Sequence, residues 1–200
     1  MARWFDPRAA PAFYLLLLIT STAALLRLWQ LDLLPPGLFF DEAYNGLDAR
    51  AVVEGTSRPI YFAANNGREP FYLYLQALAI VLLGPTPYAL RITSALIGIV
   101  TVPVIYWLVR TVLASDDHTE GRAPALSWVA LIAATAVAVS FWQVSISRLA
   151  FRAILLAPLS ALAMLFLWRA WVRNRRADYA WAGFWVALAL YTYTAARALP

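Results

Sequence analysis

The stretch PFYLYLQALAIVLLG, Pro70 to Gly84, decides how this chain is laid out. It is apolar almost throughout. Yet a helix of this length reaches only about 22 Å at ~1.5 Å per residue, short of the ~30 Å hydrocarbon core of a bilayer. Pro70 marks a helix start, and Gly84-Pro85-Thr86-Pro87 marks a firm stop. Whether it crosses fixes the side on which every later loop lies. Arg169, Arg173, Arg175 and Arg176 crowd one short hinge, and Arg3 and Arg8 precede the first apolar run. Positive charge gathers on the cytoplasmic side. Both clusters share that side only if 70–84 does not cross. The expectation is therefore an interfacial or re-entrant helix over 70–84.

Composition agrees with a chain written for lipid. Of the 200 residues 62% are hydrophobic and only 14% charged, with mean hydropathy +0.66. A soluble domain is about 45–50% apolar and about 25% charged. The net charge of +5 comes from 16 arginines and no lysine. They are scattered between apolar runs with no basic stripe, which excludes nucleic acid as a partner. There is no cysteine, hence no disulfide, thiolate nucleophile or thiolate metal site. The run from Pro11 to Leu31 is too long for a signal-peptide core and reads as a retained anchor.

The reading is an all-α integral membrane protein with five spans, at about 11–31, 88–109, 126–146, 152–172 and 178–196. An external loop, 32–87, carries the interfacial helix. The N-terminus is expected in the cytoplasm and the chain in the plasma membrane as a multi-pass protein. The sequence reads as a single module, the N-terminal part of a longer protein.

This topology gathers polar side chains on the external face: Asp41, Glu42, Asn45, Asp48, Arg68, Glu69, Arg91, Arg148, Arg152 and Arg197. A carboxylate can take a proton from an acceptor nucleophile. Arginines can grip a phosphate with two parallel hydrogen bonds and stabilise it as it leaves. ATP stays in the cytoplasm, so a lipid-linked phosphosugar is the donor that fits. Each residue also has a plainer reading. Asp41 can cap a helix from Glu42 to Glu54 that stops at Gly55, with Glu42 favourable in its first turn. Asn45 and Asp48 share the Asp41 face, which can simply be solvated. Arg68 and Glu69 can pair locally. Arg148 and Arg152, four apart, can bridge an anion or snorkel to headgroups. Arg91 lies at an ordinary snorkelling position. His118, with Asp116, Asp117 and Glu120, reads as a solvated loop.

Four passages together resemble the GT-C class of membrane glycosyltransferases: Phe40-Asp41-Glu42-Ala43; Asn66-Gly67-Arg68-Glu69-Pro70-Phe71-Tyr72; Ala89-Leu90-Arg91 through Ser94 to Gly98 and Pro103; and Ser147-Arg148 with Arg152. Tyr191-Thr192-Tyr193 through Arg197 and Pro200 is similar to bacterial members. The closest likeness is to the dolichyl-phosphate-mannose protein mannosyltransferases and the bacterial aminoarabinose transferases. The resemblance implies a GT-C helical bundle with external juxtamembrane helices. It also implies inverting transfer of a sugar from a polyprenyl phosphate to a lipid, glycan or protein acceptor. Asp41 would be the general base, supported by Glu42. Arg68, Arg148, Arg152 and Arg197 would hold the lipid phosphate, with Glu69 beside them and Arg91 a weaker structural candidate. Some relatives bind a divalent metal through loop carboxylates, which here points to Glu69 or Asp41, and the metal is left open. The alternatives are a non-catalytic lipid-phosphate-binding protein of the same fold and a transporter or flippase.

Overall fold

The computed structural model describes residues 10–114 and 123–199. Arg3, Arg8 and the 116–120 acidic loop with His118 lie outside them. Among the described residues the chain is all-helical, 76% helix with no strand. Its helices are α1 (Ala10–Leu28), α2 (Phe40–Val53), α3 (Phe71–Leu83), α4 (Pro87–Leu113), α5 (Ala123–Val139), α6 (Phe141–Arg148), α7 (Leu156–Arg173) and α8 (Arg176–Leu190). Short 3-10 turns cover Arg152–Leu155 and Thr194–Ala198.

Three segments are long and apolar enough to cross a membrane: Pro11–Leu28, Pro87–Leu113 and Arg152–Arg173. The bent pair α5–α6 makes up to four. Phe13, Leu17, Leu18 and Leu25 of α1, and Leu78, Val81 and Leu82 of α3, are exposed. Such faces suit lipid, where helices satisfy their own backbone and water is absent.

The long helix α4 organises the bundle. Thr86 caps it, accepting from the Ala89 N–H at 3.2 Å, and Pro87 occupies its first turn, where no N–H is needed. One buried cluster joins it to α1 and α5 through Ala23, Val102, Tyr106, Ala130, Leu131 and Ala134. Another seals α2 and α3 over its start through Ala49, Val52, Leu73, Ala77, Ile80 and Leu90. A polar string ties α3 to α4: the Tyr72 hydroxyl meets Ser94 Oγ, and Gln76 Nε2 donates to Tyr72 Oη and to the Leu90 carbonyl, both at 3.4 Å.

The helix within 70–84 runs from Phe71 to Leu83 and ends on Gly84 at φ +81°. Two of the expected spans depart from their outlines. The segment 126–146 is not one rod, because α5 and α6 meet at Ser140 with a bend of 49°. The cause is a side chain in the helical ladder. Arg27 of α1 donates from Nη1 to the Ala138 carbonyl at 2.8 Å and from Nη2 to the Val137 carbonyl at 3.2 Å. In an unbroken helix those carbonyls accept from residues 141 and 142, so the guanidinium replaces two backbone bonds. The segment 178–196 is likewise not continuous. Its helix, α8, ends at Leu190, and the buried Thr192 hydroxyl bonds back to the Ala189 carbonyl at 2.6 Å. The Tyr191 carbonyl then accepts from Phe71 N at 3.2 Å, which ties this end to the start of α3. At 15 residues α8 spans about 22 Å, no longer than the 70–84 segment.

Helix α4 packs tightly against α1 and α6 at Gly98. A Cβ there would lie 2.8 Å from Ser147 Cβ and 2.9 Å from Arg27 Nε. Gly98→Ala is therefore expected to destabilise by about 1–3 kcal/mol through overpacking, seen as a lower thermal midpoint in detergent. Gly183→Ala, where nothing lies within 4 Å, is the matched control and should hold or raise the midpoint.

Candidate functional site

The site begins at the first turn of α2. Phe39 is extended, at φ −67° and ψ 152°, and is the N-cap; Asp41 is not. Three residues on, Glu42 reaches back to accept the Phe39 N–H at 3.2 Å, which is half of a capping box. This orientation sends Glu42 inward. It is 1% exposed and forms a fork with Arg91, Nε to Oε1 at 2.7 Å and Nη2 to Oε2 at 3.2 Å. Arg91 also donates to the carbonyls of Leu31 at 3.3 Å, Pro35 at 2.9 Å and Gly37. One buried guanidinium thus joins the loop after α1, the start of α2 and the start of α4.

Asp41, one residue earlier, lines a cavity of about 150 Å³ together with Asn45, Asn65, Asn66, Arg68, Phe151, Arg152 and Tyr193. Asn65 Nδ2 donates to its Oδ1 at 2.9 Å. The turn that delivers Asn65 needs residues tolerant of left-handed backbone. Asn65, Asn66 and Gly67 have φ of 51°, 63° and 78° in succession. A Cβ at Gly67 would stand 1.8 Å from Tyr61 Oη. The turn is closed by paired backbone bonds between Phe62 and Arg68, at 3.0 and 2.7 Å.

Arg68 and Glu69, side by side in sequence, do not pair with each other. Arg68 turns to α2, donating to Asn45 Oδ1 at 2.7 Å, to Asp48 Oδ2 and to the Ala64 carbonyl at 3.3 Å. Its guanidinium lies 5.8 Å from the centre of the Tyr44 ring. Glu69 turns the other way. Its Oε2 accepts from Arg152 Nη1 at 2.9 Å, and its Oε1 from Thr194 Oγ1 at 2.9 Å. Arg152 lies over Tyr193, 5.3 Å from the ring centre. The pairs Arg68–Asp48 and Arg152–Glu69 cancel in charge, while Asp41 has no ion pair among the described residues.

The remaining candidates go elsewhere. Arg148 and Arg152 do not share one helix face: α6 ends at Arg148, and Ala150, at φ 49°, interrupts the helix before Arg152. Arg148 instead covers the end of α1, donating to the carbonyls of Leu26 at 2.9 Å, Arg27 at 3.2 Å, Trp29 at 2.8 Å and Leu34 at 3.0 Å. It takes up carbonyls a helix end leaves orphaned, and is not among the residues lining the cavity. Arg197 is exposed and likewise not a lining residue. Glu42 is buried against Arg91 and is not among the residues lining the cavity. Asn65 and Tyr193 enter it instead. The Asn-Asn-Gly turn was the available signal for Asn65; for Tyr193 it was the Tyr191-Thr192-Tyr193 passage. Both oxygens of Glu69 are engaged by Arg152 and Thr194, and among the described residues no three of His, Cys, Asp or Glu gather as a ligand set.

No family model matches the chain, and neither the curated proteins nor the solved structures contain a match to it.

Removing one partner of a buried pair strands a charge, at about 3–5 kcal/mol. Glu42→Leu and Arg91→Met should each lower the thermal midpoint sharply. The double variant should not recover it, because the Leu31, Pro35 and Gly37 carbonyls remain without their donor. Recovery to the wild-type midpoint would show that Arg91 matters only as the partner of Glu42.

Proposed function

We propose that this protein transfers a sugar from a polyprenyl-phosphate donor to an acceptor hydroxyl at the extracytoplasmic membrane face, with inversion. The observation that carries the reading is Asp41: a carboxylate oriented by an amide, paired with no guanidinium among the described residues, in a small polar cavity beside the ends of helices fit to cross a membrane. The order of Phe40-Asp41-Glu42-Ala43, Arg68-Glu69-Pro70 and Arg152 along the chain, similar to GT-C transferases, supports it. In this reading the protein is a plasma-membrane enzyme with its N-terminus in the cytoplasm. Its partners are the lipid-linked donor, membrane lipids, and a lipid, glycan or protein acceptor.

The step balances without a cofactor. The acceptor oxygen attacks the anomeric carbon as its proton passes to Asp41. The bond from that carbon to the phosphate oxygen breaks, and the polyprenyl phosphate leaves with the electron pair. General-base assistance of this kind contributes about 10²–10⁴-fold. The two cavity arginines divide the work. Arg68 spends Nε, Nη1 and Nη2 on Ala64, Asn45 and Asp48, so it positions α2. Arg152 is engaged through Nη1 and, at 3.4 Å, through Nη2. A guanidinium has five N–H donors, so Arg152 keeps some for the phosphate. Phe151 and Tyr193 offer flat walls for a ring. At about 150 Å³ the cavity is below the ~300–1,000 Å³ of drug-sized sites. It suits a headgroup whose prenyl chain stays in the bilayer.

The test is sugar release from a panel of polyprenyl-phosphate sugars by purified protein. Asp41→Asn is expected to lose about 10²–10⁴-fold in turnover at an unchanged thermal midpoint. Arg152→Lys should raise KM for the donor more than it lowers kcat. Equal turnover in wild type and Asp41→Asn removes Asp41 as the base. Donor retained by a wild type that releases no sugar favours a lipid-phosphate-binding protein without catalysis.

A further inference from the structure

A second polar cavity lies at the far ends of the same helices. It has a volume of about 240 Å³ and is lined by Trp107, Arg110 and Thr111 of α4 and by Arg169 and Arg173 of α7. Arg110 follows Arg91 by nineteen residues on one continuous helix. At ~1.5 Å per residue the two are about 28 Å apart, close to the thickness of the hydrocarbon core. This cavity therefore sits at the other membrane face from the Asp41 site and belongs to neither donor nor acceptor in the function proposed above.

Among the described residues that line it, positive charge is in excess. Three guanidiniums converge between two helices. Arg169 pairs with Asp178 of α8, Nη2 to Oδ1 at 3.1 Å, and lies against aromatic rings, 5.0 Å from the centre of Phe166 and 6.0 Å from that of Trp107. Its Nε is buried with no hydrogen-bond partner among the described residues. Arg110 and Arg173 are exposed, and neither makes an ion pair among the described residues. Like charges gathered at the edge of a low-dielectric slab repel unless an anion bridges them. Guanidinium forks match phosphate oxygens. A tryptophan at a helix end is an interfacial residue, at home beside headgroups. Basic pockets between membrane helices bind anionic headgroups.

We propose that Arg110, Arg169 and Arg173 form a phosphate-binding site at the membrane face opposite Asp41, the phosphate being that of an anionic lipid headgroup or of a soluble phosphate. Occupancy would cross-link α4 to α7, the two helices that carry the catalytic-side residues Arg91 and Arg152 at or just before their other ends. The site does not depend on the chain being a transferase.

The experiment is native mass spectrometry of the purified full chain with phosphatidylglycerol, phosphatidylcholine or inorganic phosphate, at ionic strength of about 0.15 M, where long-range surface attraction is screened. Wild type should retain one phosphatidylglycerol about tenfold more tightly than phosphatidylcholine, as two surface arginines suffice to give. Arg110→Gln/Arg173→Gln should bring the two lipids to parity. Arg175→Gln/Arg176→Gln, which removes equal charge outside the cavity lining, should keep the preference. Competition by inorganic phosphate would support the site with a soluble source, and its failure to compete would support the lipid source. Equal loss in both double variants, or no preference in wild type, overturns the proposal. Where Arg110→Gln/Arg173→Gln does not fold, Arg173→Gln alone decides by the same comparison.

Discussion

The structure depends on one buried ion pair. Glu42 and Arg91 are both about 99% removed from solvent. A lone buried charge is costly, whereas a forked pair with every donor used is tolerable. Arg91 meets that condition by donating to three carbonyls of the loop that follows α1 as well as to Glu42. The loop has no helix or strand of its own to satisfy those carbonyls, so the guanidinium stands in for secondary structure. In doing so it sets where α2 starts, and hence where Asp41 points.

The same device recurs. Arg27 takes the last carbonyls of α5, and Arg148 takes those of α1. A membrane helix that ends or bends near the hydrocarbon edge has no water to hydrate its orphaned carbonyls. Arginine, with five donors on a long stem, can reach them from a neighbouring helix. In a chain with no lysine, several of its arginines are thus structural, and the number free to hold a phosphate is smaller than the sequence suggests. Arg152 keeps donors to spare at one end of the bundle; Arg110 and Arg173 do so at the other.

Asp41 and Glu42 show how adjacent residues are given opposite fates. Successive side chains on a helix are about 100° apart. With Phe39 as the cap, Glu42 faces α4 and its sister residue faces the cavity. Arg68 and Glu69 divide in the same way across the end of the left-handed turn, one toward α2 and one toward Arg152. Each neighbour that is neutralised leaves the site less crowded, and among the described residues lining the cavity Asp41 is a carboxylate without an ion pair.

Several features were legible in the sequence. Apolar runs and sparse charge determined an all-helical chain with segments able to cross a membrane, because lipid admits little else. Pro70 and Gly84 determined the extent of α3, and Gly55 the stop after α2, since these residues restrict or free the backbone locally. The acidic pair near position 41 was visible as out of place. Tertiary structure alone decided the partners. The break at Ser140 has no proline or glycine beside it, for its cause is Arg27, more than a hundred residues away. The separation of Arg148 from Arg152 rests on a left-handed alanine that no propensity indicates. The distinction between Asp41 and Glu42 rests on a guanidinium forty-nine residues distant. Local pattern reports what a segment prefers; which donor meets which carbonyl is settled only when distant segments compete for the same few charges.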